Sequence, residues 1–150
     1  MNCTSGIERL AVVAIDTNVL AYVAGLGRTA DDRRKMRQAD ELLVNVANSD
    51  TLVFPVQVGL ELHTVLIRKL GLSRLAAAEI VSDYLDGAIV TASDEKMLVD
   101  AMDLAAKHCM QTYDSIILAS AASSGCTILY SEDMQHGFVW NGVMVVNPFA

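Results

Sequence analysis

The chain has 150 residues, of which 53% are hydrophobic and 19% charged, and a formal net charge of −7. That length suits one compact domain with a sizeable core, and so apolar a composition excludes intrinsic disorder. No heptad or Gly-X-Y period supports a rod, and the acidic balance excludes a protein that coats nucleic acid through its whole surface, while leaving room for a site made of carboxylates.

In chain order, residues 1–9 read as a short lead-in. Leu10 to Ile15 is a continuous apolar run, the pattern of a strand buried on both faces. Asp16 stops it far short of the ~20 residues of a membrane span, and nothing ahead of it resembles a secretion signal. Thr17 to about Ala24 suits a helix, with Gly25 and Gly27 in the loop after it. Asp31 to Asn48 carries Met36, Ala39, Leu42, Leu43 and Val46 at helical spacing, with Asp31 and Asp32 at the start. Thr51 to Phe54 is a second strand, Pro55 takes the first helical position, and that helix runs to about Leu70 before Gly71 ends it. Ser73 caps the next helix, to about Leu85, and Ala88 to Val90 is a short strand. Ser93 caps a helix ending near Lys107 and His108, and another spans Tyr113 to Ser124 before Gly125. Thr127 to Tyr130 and Val143 to Val146 are the last strands. Apolar strands alternating with helices imply an α/β fold: a three-layer α/β/α sandwich around a parallel sheet of about five strands, one domain over residues 1–150.

Ligands of open α/β sheets bind beyond the carboxyl ends of the strands, so the acids that reach that edge matter most. Asp16 follows the first strand directly, and Asp133 closely follows the strand ending at Tyr130. Glu61 lies in the second turn of the helix after the second strand, and Asp114 in the first turn of the helix beginning near Tyr113. Each has a simpler reading: Asp16 as a helix cap, Asp114 as a charge opposing a helix dipole, Asp133 as a solvated loop residue. Glu61, between Val58, Leu62 and Val65, sits beside an apolar stripe where a lone carboxylate needs a partner. Two carboxylates about 4 Å apart repel by about 4 kcal/mol at an effective dielectric of 20, so such a group must hold protons or bind a cation. Oxygen-only ligands suit Mg²⁺ or Mn²⁺. His63, His108 and His136 are scattered, and Cys3, Cys109 and Cys126 form no C-x-x-C pair, so neither zinc nor a disulfide framework is implied. Reduced thiols in a cytoplasm are the expectation.

Four segments carry a family resemblance: Ala14-Ile-Asp-Thr-Asn-Val-Leu-Ala-Tyr22, Pro55-Val-Gln-Val-Gly-Leu-Glu-Leu62, Tyr113-Asp-Ser-Ile-Ile-Leu-Ala119 and Leu129-Tyr-Ser-Glu-Asp-Met134. Together they resemble the PIN-domain nucleases, particularly the small VapC-type toxins of bacterial toxin–antitoxin pairs, over about residues 10–147. The resemblance implies a Mg²⁺- or Mn²⁺-dependent endoribonuclease that works as a homodimer and is blocked by a cognate antitoxin. It maps the family's acidic quartet onto Asp16, Glu61, Asp114 and Asp133, with Glu132 adjacent to the last. On this reading Asp16, Asp114 and Asp133 hold the ion, Glu61 orients or deprotonates a water, and Asn18 and Ser131 orient carboxylates. The cluster Arg28, Arg33, Arg34, Lys35 and Arg37 offers cations for RNA, with Arg33, Arg34 and Arg37 foremost; the plainer alternative is the solvated face of a helix.

Three rivals remain on the residues alone. A haloacid-dehalogenase-like phosphatase also starts with an Asp after a buried strand, but needs a second Asp where Asn18 stands. A receiver domain needs an early acidic pair at a strand end and a late Lys, and no Lys follows Lys107. A PIN-fold module that binds without catalysis would keep the fold and lose the metal. Glycine-rich nucleotide-binding motifs do not occur.

Overall fold

The computed structural model describes residues 10–150; the expected lead-in over residues 1–9, with Cys3, lies outside the described residues. β1 (Val12–Ile15) passes through Asp16 directly into α1 (Thr17–Val23), which the Asp16 carboxylate caps. α2 (Ala30–Ser49) begins at a reciprocal cap: Thr29 Oγ1 accepts from the Asp32 N–H, and the Asp32 carboxylate accepts from the Thr29 N–H, both at 3.0 Å. Asp32 therefore completes a capping box and Thr29, not the acidic pair, starts the helix. β2 (Thr51–Pro55) runs into α3 (Val56–Arg68) with Pro55 as the capping residue, one position earlier than the sequence suggests. α4 (Arg74–Gly87), capped by Ser73, leads to β3 (Ile89–Thr91). α5 (Glu95–His108) is capped by Asp94, which accepts from the Met97 N–H at 2.9 Å, and not by Ser93. α6 (Thr112–Ser123), β4 (Ile128–Tyr130), β5 (Val139–Trp140) and β6 (Val143–Val146) follow.

The sheet has the order β3-β2-β1-β4-β6-β5. Every pairing is parallel except that of β5 with β6. The sixth strand is an addition to the expected five. β5 is two residues long, and Asn141-Gly142, with φ of 45° and 80°, folds it back so that Trp140 pairs with Val143. Two consecutive positive φ angles are what a tight hairpin turn demands, and Asn-Gly supplies them at low cost. Val13, Ala14 and Ile15 of β1 are each no more than 1% exposed, so both faces of the central strand are covered and the molecule has three layers. α1 packs on α2 and α3, α3 on α4, and α5 on α6. The Phe54 ring stacks on Tyr84, centroids 5.3 Å apart and 8° from parallel, joining β2 to α4. Gly59 permits this approach, since a Cβ there would stand 3.1 Å from the Phe54 ring.

From β1 the sheet grows one way to β2 and the other way to β4. The carboxyl end of β1 is therefore the switch point where α/β sheets open a crevice. Among the described residues no helix is long and apolar enough to cross a membrane.

Candidate active site

Asp16 enters that crevice 3% exposed. Its amide donates to the Tyr130 carbonyl at 2.8 Å, extending the β1–β4 ladder by one residue. Its Oδ1 accepts from the Thr17 N–H at 2.7 Å and its Oδ2 from the Ser131 hydroxyl at 2.8 Å. Ser131 follows β4 directly; its N–H donates to the Val146 carbonyl at 3.0 Å and its Oγ accepts from the Met134 N–H at 3.3 Å. The loop carrying Asp133 is thus tied to β6 and to Asp16 together. In the first turn of α1, Asn18 Nδ2 donates to the Asp133 carboxylate. Glu61 has the partners its apolar setting requires: Oε2 accepts from Thr17 Oγ1 at 2.9 Å, and Oε1 from Gln57 Nε2 at 3.0 Å. Asp114 comes from the first turn of α6. Asp16, Asn18, Glu61, Asp114, Asp133 and Arg68 line one cavity of about 520 Å³.

The simpler readings of Asp16 and Asp114 hold alongside this convergence, since one caps α1 and the other lies at the start of α6. A cap alone does not need burial among acids. Burial drives the Asp16 carboxyl up from 3.8 to about 7, against the lowering effect of the Ser131 and Thr17 hydrogen bonds, and Asp114 and Glu61 push it further. Asp114 is raised to about 6, by burial first and then by Asp133 and Glu61. Among the described residues none of the four acids has a Lys or Arg within ion-pair distance. Among the described residues the four acids therefore have no ion-pair partner, although Arg68 lines the same cavity.

Glu132 faces elsewhere. It pairs with Lys35, whose ammonium also lies 5.6 Å from the Tyr22 ring centroid and 5.8 Å from that of Phe149. Of the two adjacent acids, Asp133 is the one in the cavity. Two members of the basic cluster, both on α2, are committed internally: Arg34 bonds Asp31, Gln38 and the Phe149 carbonyl, and Lys35 bonds Glu132. None of Arg33, Arg34 and Arg37 lines the acid cavity; Arg68, which no pattern in the chain singles out, does. Thr17 and Gln57 were also missed, although Gln57 stands one helical turn before Glu61 on the same face.

The donor set is all oxygen and, among the described residues, has no ion-pair partner, which fits a hard divalent ion. Among the described residues no three acid, imidazole or thiol groups stand close enough to enclose an ion as arranged. The three-carboxylate grip expected of Asp16, Asp114 and Asp133 is thus not closed. Asp16 and Asp133 are each committed to hydrogen bonds. Such a site fits an ion that keeps much of its own water, as Mg²⁺ commonly does.

A family model described as the PIN domain matches residues 13–137. The chain belongs to the PIN-domain family. No curated protein matches it in sequence. Among solved structures, this PIN domain is similar to VapC20 of Mycobacterium tuberculosis, a sarcin–ricin-loop-cleaving toxin, with a TM-score of 0.66 and 18% identity over 81% of this chain and 89% of that one. A toxin–antitoxin complex from Klebsiella pneumoniae aligns with a TM-score of 0.65 and 18% identity, over 91% of this chain and 97% of that chain. DNA-bound VapBC from Salmonella typhimurium aligns at 0.60 and 13%, over 91% and 97%. At these identities the likeness shows a shared fold. The phosphatase alternative fails on chemistry as well, since Asn18 is an amide donor to Asp133 and has no carboxyl proton to give a leaving group.

Proposed function

We propose that this PIN domain is a divalent-metal-dependent endoribonuclease, the toxin of a toxin–antitoxin pair. The observation that carries the reading is the cavity into which Asp16, Glu61, Asp114 and Asp133 converge with no ion-pair partner among the described residues. Family membership supports nuclease chemistry, and similarity to solved toxins and toxin–antitoxin complexes supports a cognate antitoxin. Asp16 and Asp114 would hold Mg²⁺ or Mn²⁺, with Asp133 beside them. Bound there, the ion supplies positive charge against the phosphate and makes a water more acidic. Ser131 and Thr17 fix the Asp16 carboxylate, Asn18 fixes Asp133, and Thr17 and Gln57 hold both oxygens of Glu61. Glu61 retains lone pairs able to accept a proton. Its role is to take a proton from the water as the water oxygen bonds to phosphorus; the bond from phosphorus to one bridging ester oxygen breaks, and that oxygen leaves and takes a proton from solvent.

Cleavage of a structured RNA, followed by end mapping, tests the reading. Internal cuts with Mn²⁺ present, none with the ion chelated and none from Asp114→Asn are expected; equal cleavage with and without the ion refutes it. The enzyme is proposed to act as a homodimer, which light scattering coupled to size exclusion checks by mass.

A further inference from the structure

Asp114 and Asp133 line two cavities at once. One is the acid cavity already described; the other, about 680 Å³, adjoins it across this pair and is bounded by His108, Gln111, Gln135 and Phe138. A strand cut at the acids continues on both sides of the cut, so the second cavity falls where a neighbouring nucleotide must lie. Its chemistry differs from that of the first. It holds two carboxylates and neither Lys nor Arg, so a phosphate would be repelled from it. Apart from those carboxylates it offers side-chain amides and rings. The side-chain amides of Gln111 and Gln135 make no hydrogen bond among the described residues. The Phe138 ring is held edge-on by the His108 imidazole, centroids 5.0 Å apart at 67°. The volume lies within the range of about 300–1,000 Å³ that holds small organic groups.

The walls are also well fixed relative to the acids. Gln111 caps α6 three residues before Asp114, and its carbonyl accepts from the Ser115 hydroxyl and N–H, each at 2.9 Å. Gln135 lies two residues after Asp133; its carbonyl accepts from the Phe138 N–H at 3.1 Å, and the Gly137 N–H reaches the Val145 carbonyl at 2.8 Å. An aromatic face beside amides that both donate and accept is how proteins read an unstacked base, and a glutamine amide can bond a base through two atoms together.

We propose that this cavity is a nucleobase subsite that selects the nucleotide on one side of the cut. The proposal rests on the ribonuclease reading of the adjoining acids, but its first test needs no cleavage. Isotope-labelled Asp16→Asn protein, altered outside the second cavity, is titrated with adenosine, guanosine, cytidine and uridine while the Gln111 and Gln135 side-chain amide signals and the Gly137 backbone amide are followed. One nucleoside is expected to move these signals and to bind about tenfold tighter than the weakest, the discrimination of one amide–base pair. With Gln111→Ala and Gln135→Ala added, the Gly137 signal should report discrimination reduced to about twofold. No movement with any nucleoside, or discrimination that survives the double substitution, overturns the proposal. In a second arm, a randomised RNA pool cut by the otherwise unaltered enzyme should show a base preference at one position beside the cut that flattens in the Gln111→Ala, Gln135→Ala variant; an unaltered preference counts against the subsite. Selective nucleoside binding by a chain that cuts no RNA upholds the base cavity and removes the nuclease reading, whereas RNA cleavage without nucleoside discrimination removes the subsite alone.

Discussion

Removing the Asp16 charge should make the protein more stable while disabling the proposed site. Asp16 is buried and its carboxyl is raised from 3.8 to about 7, so the folded state favours its protonated form. The associated penalty is absent below the unfolded value, grows as pH rises from about 4 to 7 and is constant above that. At about 1.4 kcal/mol per pH unit it reaches an upper bound of about 4 kcal/mol. In Asp16→Asn the amide oxygen can still accept from the Thr17 N–H, and the amide nitrogen can donate to Ser131 Oγ, whose hydroxyl is free to rotate. At about 2–4 °C per kcal/mol for a domain of this size, the variant should melt up to about 16 °C higher at pH 8 with divalent ions chelated. The gap should close towards pH 4. Mn²⁺ should then raise the melting temperature of the parent and not of the variant, because an ion that binds only the folded state stabilises it. Thermal melts across pH 4–8, with and without Mn²⁺, measure this directly. A variant that melts no higher than the parent at pH 8, or a gap that does not vary with pH, refutes the electrostatic account of the site.

Three further outcomes follow from other parts of the molecule. Arg68→Ala removes the cation that lines the acid cavity and should reduce the slope of log K against log salt for single-stranded RNA by about 0.7, measured by fluorescence anisotropy on a cleavage-deficient background; an unchanged slope removes Arg68 from the RNA path. Lys35→Met keeps an apolar stem beside Tyr22 and Phe149 but frees Glu132, and should cost about 1 kcal/mol in urea unfolding, discounted for the one-fifth exposure of both side chains, with Lys35→Arg recovering most of it. Phe54→Ala empties the space between β2, Gly59 and Tyr84 and should cost about 3–5 kcal/mol on the same measurement; a loss below about 1 kcal/mol would mean that α4 closes over the gap.

Hydropathy patterning and the acids' positions made much of this molecule legible in advance. The apolar run ending at Asp16 marks the central strand because only a strand covered on both faces is apolar at every position. Glu61 beside an apolar stripe signalled a carboxylate with partners, and Thr17 and Gln57 are those partners. Cap positions shifted by one residue, as at Asp94 and Pro55, because neighbouring Ser, Asp and Pro residues compete for one role and only backbone geometry selects among them. β5 was missed although Asn141-Gly142 is a strong hairpin signal, since two residues carry no periodicity.

The amino-acid order by itself determined the layered α/β class and put an acid at the carboxyl end of a strand or early in a helix, because burial pattern and capping chemistry are local. Which acids share a cavity is not local. Ser131 reaches Asp16, and Asn18 reaches Asp133, each across a sequence separation of 115, and only the placement of β4 beside β1 brings them together. The same placement turned Glu132 towards Lys35 and opened a second cavity that shares Asp114 and Asp133 with the first. Charge repulsion, burial and hydrogen bonding act on distances in space, and those distances exist only once the sheet has formed.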